Sequence, residues 1–157
     1  MVSRILKIVS AALISITLAL GVLMFFKGKR SQSMEVSLGL EDGQLKTCGE
    51  KPNCISSSAE PGTKFYYPPI EADNIEVIWD NLNILLKDLG YSFEENSSDK
   101  YIHATAKTKI MGFVDDLEFL LSEDDSKIFV RSESRVGYSD MGKNRKRMDS
   151  IIKQLLK

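Results

Sequence analysis

One histidine, a cluster of carboxylates, two of the six arginines and two cysteines are the residues of this 157-residue chain whose types and placing could do chemistry. His103 is the single histidine, and an imidazole that titrates near neutrality can act as general base beside Glu118 or beside the pair Asp115 and Asp116. Arg131 and Arg135 carry planar guanidinium groups suited to a carboxylate or phosphate. Asn144, in the same basic stretch, adds an amide toward the same anion. A hydrolase on His103 and a binding site on Arg131, Arg135 and Asn144 are thus the two chemistries on offer. No G-x-S-x-G, H-E-x-x-H, P-loop or glycine-rich nucleotide motif supports the first.

The cysteines stand in "CGEKPNC", as Cys48 and Cys54. Paired, they close a small loop around a Pro-Asn corner, worth about 2 kcal/mol on chain-entropy grounds. A zinc site would need four ligands, and beyond the two thiols only His103 and acidic residues remain. A redox pair more often has the tighter C-x-x-C spacing at a helix start. The disulfide is the preferred of these three readings, and it implies a compartment outside the reducing cytosol. The acidic run Glu123, Asp124 and Asp125 lacks the spacing of a calcium loop and reads as a solvated turn. No metal and no cofactor is expected.

Around these groups the chain divides by composition. Residues 8–26, "IVSAALISITLALGVLMFF", are uncharged and apolar; as a helix they span roughly 28 Å, against a hydrocarbon core of about 30 Å. Arg4 and Lys7 precede the run and Lys27, Lys29 and Arg30 follow it, so charge leaves the orientation undecided. A cleavable signal usually has a shorter apolar region and a small-residue site after it. Here the run is longer and ends in "LMFFKGKR" with no small-residue site after it, and an uncleaved anchor over residues 1–30 is the preferred reading over a signal or a buried core helix. From Met34 onward 16 Lys and Arg face 22 Asp and Glu. That negative balance argues against nucleic acid as a partner.

Residues 31–72 read as a linker and irregular cysteine-loop segment, holding all four prolines, with no clean period. Residues 73–157 read as a globular core. "DNIEVIWDNLNILLKDLGY" has Asp73 and Glu76 at capping-box spacing, apolar residues at helical spacing and Gly90 as stop. A second amphipathic helix closes the chain after a start near Ser139 or Asp140. Between them lie four strand-like runs, 91–95, 100–108, 113–121 and 127–133, separated by short turns.

Even-length turns at 96–99, 109–112 and 123–126 set a register. They align Phe93, Ile102, Phe119 and Val130 on one face, beside Tyr91, Ala104, Leu117 and Ser132. The other face then carries Ser92, His103, Glu118 and Arg131, beside Thr105, Asp116 and Glu133, with Tyr101, Leu120 and Phe129 as an apolar floor. A one-residue slip would exchange the faces, so agreement across three turns favours this register. The expected fold is α+β: a four-stranded antiparallel meander with two helices on one face, preceded by an irregular disulfide-closed segment and a transmembrane helix. The charged face reads either as a solvated surface of ion pairs or as a ligand face.

"KPNCISS" at residues 51–57, "GFVDDLEF" at 112–119 and "RSESRVGYSDMGKNRKRM" at 131–148 together resemble the motifs of the bacterial domain-of-unknown-function family 1499, over about residues 45–156. The resemblance implies an exported or membrane-anchored domain and carries no catalytic residue with it. The last of these stretches reads as a strand end, a turn and a helix start. Its arginines either hold the acidic hairpin beside them or hold an anion. The leading reading is a single-pass, membrane-anchored binding or interaction domain in the periplasm or outside the cell, an envelope accessory factor with a protein or small anionic partner; the alternative is the His103 hydrolase.

Overall fold

The computed structural model describes residues 2–34, 38–122, 124 and 126–157. Glu123 and Asp125 of the acidic turn therefore lie outside the described residues. The elements run α1 (Val2–Gln32), β1 (Leu40–Glu41), β2 (Gln44–Leu45), β3 (Cys54–Ser56), β4 (Ile70–Glu71), α2 (Ile75–Asp88), β5 (Ser92–Phe93), β6 (Tyr101–Lys107), β7 (Val114–Ser122), β8 (Lys127–Ser134) and α3 (Lys143–Leu155).

The expected meander is present as the consecutive antiparallel strands β5 to β8. It is part of a larger sheet, and the four-strand count is corrected to six: β3 and β4 both pair with β8, Cys54–Ser56 against Arg131–Glu133 at one end and Ile70 against Ile128 at the other. Isolated two- and three-residue strands carry almost no periodic signal, and only the open edge of β8 gives them a partner. The segment also holds a hairpin, β1 to β2, around Asp42 and Gly43 with φ of 52° and 77°. Two positive φ values in a two-residue loop are what an Asp-Gly pair supplies.

Register in the centre is as the turns predict: Ile102 faces Phe119, Phe119 faces Val130, and His103 faces Glu118, which faces Arg131. At the edge it slips by two residues, so that Phe93 faces Ala104 rather than Ile102. The cause is local. Ser98 and Tyr101 exchange backbone bonds of 2.7 and 3.3 Å in a tight turn of their own, and the Ser97 hydroxyl ties to the His103 backbone. Two more residues are drawn into the connection, and a slip of two leaves each side chain on its face.

Helices α2 and α3 cover one face. Leu82 and Leu86 from α2 and Met148 and Ile151 from α3 are buried with Ile102, Leu117, Phe119, Ile128 and Val130. The α2 helix starts after Asn74 with no side-chain cap bond, not at an Asp73 capping box. Burial of Ile75 and Trp79 holds its first turn instead. Before α3, Asp140 acts as the capping side chain, accepting from Gly142 N at 2.9 Å and Asn144 N at 2.7 Å. The disulfide Cys48–Cys54 is present, with Cα atoms 5.7 Å apart.

Candidate functional site

The sheet face turned away from α2 and α3 carries the charged rows, and it is not solvated. Residues Tyr101, His103, Asp116, Glu118 and Arg131 are each 5% exposed or less. The β1–β2 hairpin lies across β7 and β8, with Leu45 buried beneath it, and the end of α1 closes the rest. The expected solvated face is thus corrected: neighbouring charges in the register became buried pairs because a segment with no periodic pattern covers them.

Two groups of ions result. In the first, Glu118 is fully buried; one oxygen accepts from Tyr101 Oη at 2.7 Å and Gly39 N at 2.8 Å, the other from Arg131 at 2.6 Å. Arg131 also pairs with Glu133. Burial, and then the bond to Glu118, pushes the Tyr101 hydroxyl well above its ordinary pKa. In the second, Asp116 accepts two bonds of 2.8 Å from Arg135 and one of 2.8 Å from His103 Nε2. Burial alone would raise the Asp116 carboxyl, but the hydrogen bonds and charges of Arg135 and His103 outweigh it and hold it below its ordinary 3.8. The other ring nitrogen of His103 meets Asn96 Oδ1 at 2.9 Å.

Asp115, one residue along β7, points to the opposite face, where Arg147 of α3 reaches it at 2.5 Å. Asn144 sits on this face too. It is fully buried, donates to Asn53 O at 2.9 Å and Ser134 Oγ at 3.2 Å, and accepts from Ser132 Oγ at 2.9 Å and Arg147 at 2.6 Å. Asn53 in turn donates to Ser134 O at 2.8 Å. The stretches around Asn53, Asp115 and Asn144, far apart in sequence, meet here. Asn144 had only its basic neighbourhood to mark it, and it shares neither face nor contact with Arg131 or Arg135.

Of the sequence-marked residues, then, His103, Asp116 and Arg135 form one closed cluster and Glu118 with Arg131 another, while Asp115 and Asn144 belong to the junction with α3. Both His103 nitrogens face oxygen atoms within the fold, so the ring meets no open cleft. The open space on this face is elsewhere: a cleft of about 490 Å³ between the β1–β2 turn and the far end of the sheet, lined by Gln44, Ser57, Ser58, Lys100, Leu120 and Phe129 among others. Leu120 and Phe129 are two of the three residues expected as an apolar floor. Sequence reading missed the cleft's other wall, although the Asp42-Gly43 pair was a hairpin signal.

Fold and site define a disulfide-bearing α+β domain behind an apolar helix, with the ionisable groups of the sheet's charged face paired internally. A family model described as "Protein of unknown function (DUF1499)" matches residues 44–155, from β2 to the last residue of α3. The chain belongs to that family. No curated protein and no solved structure matches it.

Proposed function

We propose that this is a single-pass membrane protein whose disulfide-bearing domain lies outside the cytoplasm and works by binding, not catalysis. The observation that carries the reading is the helix over residues 3–32: its apolar window has a mean hydropathy of 2.5 and none of it is buried by the rest of the chain. So long an uncovered apolar surface calls for lipid. The disulfide supports the side of the membrane, since such bonds persist outside the cytosol. Binding is favoured over hydrolysis because His103 is engaged at both nitrogens, whereas the cleft over Leu120 and Phe129 offers apolar floor and polar rim together. Arg131 and Arg135 act structurally in this reading, each matched by carboxylates, and the partner, a protein or a small anionic molecule, meets the cleft.

The test is thiol labelling in intact cells. Cys48 and Cys54 are expected to react with a membrane-impermeant alkylating reagent only after an impermeant reductant, in a protein that resists alkaline extraction from membranes. Labelling without reductant, or recovery of the full-length chain in the soluble fraction, refutes it. For the cleft, Phe129→Ala should abolish cross-linking from a photoreactive group at position 58 without unfolding the protein; His103→Gln abolishing function in a folded protein would favour hydrolysis instead.

A further inference from the structure

We infer, resting on the membrane-anchor reading, that the domain does not swing on a linker but sits down on the bilayer, with the β6–β7 turn and the loop before α3 immersed in the headgroup layer. The last turns of α1 are clasped by the body. Ser31 is fully buried, donates to Gly28 O at 2.7 Å, and accepts from Val114 N at 3.1 Å. Gln32 donates to Gly112 O at 3.0 Å and accepts from Lys107 at 2.7 Å. Gly28 lies so close to Met111 that a Cβ there would fall 1.7 Å from its carbonyl oxygen. Only glycine permits that approach.

This clasp fixes which parts of the domain face the membrane. The apolar run of α1 ends at Phe26. Met24 and Lys27 share a cleft of about 340 Å³ with Gly137, Ser139 and Met141, so the loop before α3 reaches past the charged end of α1 and into its apolar part. Three residues of helix are about 4.5 Å. Around this junction stand Ile110 at 85%, Tyr138 at 73% and Met141 at 86% exposure, which exceed every large hydrophobic of the apolar helix itself. Met141 is held at φ 55°, backbone that disfavours an L side chain, with its side chain directed out of the fold. Lys27, Lys29, Arg30, Lys109 and Lys143 are exposed in the same segments, against two acids at the cleft: Asp140, half-buried and turned to its capping bonds, and Asp115, buried and paired with Arg147. Apolar side chains, a tyrosine and lysines at the end of a span match a bilayer interface carrying anionic lipid.

The experiment uses full-length protein in phosphatidylcholine vesicles, with and without phosphatidylglycerol, and lipids bearing a spin-label quencher. Ile110→Cys, Met141→Cys, Val77→Cys and Ile14→Cys each receive an environment-sensitive fluorophore, the native disulfide being left oxidised. Val77 is the control: it shares a helical turn with Trp79, which bonds to Asp99 at the opposite end of β6 from the clasped turn. Labels at 110 and 141 are expected to be quenched severalfold more than at 77, and more strongly with phosphatidylglycerol present. Quenching at 110 and 141 no greater than at 77, with 14 strongly quenched, overturns the inference and leaves the anchor standing. An unquenched label at 14 overturns both. Gly28→Leu, added to the Ile110→Cys chain, should lower quenching at 110 toward the level at 77 while the label at 14 is unchanged; undiminished quenching at 110 refutes the clasp as its cause.

Discussion

On the helix-covered face of the sheet, Leu117, Phe119, Ile128 and Val130 are buried against apolar side chains, whereas on the other face Tyr101, His103, Asp116, Glu118 and Arg131 are buried against one another. At these residues both faces are closed to water, so burial alone does not distinguish them. The difference lies in what a single substitution leaves behind. An apolar face loses contacts in proportion to the volume removed. A face of ion pairs loses little when both partners go and much when one remains, because the survivor is a buried charge without its counterion.

The largest effect should therefore come from half a pair. Glu118→Leu strands Arg131 beside Glu133 alone and frees Tyr101 and Gly39 of their acceptor; a loss of about 3–5 kcal/mol is expected in urea unfolding. Adding Arg131→Met should restore most of it. If the two losses instead simply add, the charged face behaves as the apolar one does and the contrast collapses.

A smaller effect is expected at the polar node set into the apolar face. Asn144→Leu keeps the branched heavy-atom skeleton but abandons Asn53 O, Ser132, Ser134 and Arg147, for about 2–3 kcal/mol in thermal unfolding. Leu117→Met on the same face should cost less than about 1.5 kcal/mol. Equal losses at the two positions would mean that packing, not hydrogen bonding, joins α3 to the sheet.

The contrast sharpens with pH. Because the folded fold depresses the Asp116 carboxyl below 3.8, its contribution is present above that value and is lost as pH falls through the folded pKa. Urea midpoints should thus decline below about pH 4 and lose part of that slope in Asp116→Asn, with Arg135→Met doing the same. An unchanged acid limb in both variants would remove the ion cluster from the acid response.

Much of this arrangement was legible beforehand. The strand pairing that sets His103 opposite Glu118 and Glu118 opposite Arg131 followed from turn lengths and alternation, and the closure of Cys48 on Cys54 from spacing. The slip at Phe93 did not, because it depends on hydrogen bonds of Ser97 and Ser98 that no periodicity reports. Nor did the role of Asn144, whose partners come from Asn53 just before β3, from Ser132 and Ser134 of β8 and from Arg147 of its own helix.

The sequence by itself determined the elements with strong local signals: an apolar helix, two amphipathic helices, the central strands and their register, all of which rest on side-chain periods that recur within one segment. It placed ionisable groups in rows but left open what lay above them. Tertiary structure decided that. Whether a charged row meets water or a carboxylate meets a guanidinium in a closed interior depends on the β1–β2 hairpin and the end of α1, brought across the sheet from dozens of residues away. Gly28 is the clearest case: nothing in "FFKGKR" marks it, and its meaning comes wholly from the Met111 carbonyl that a side chain there would strike.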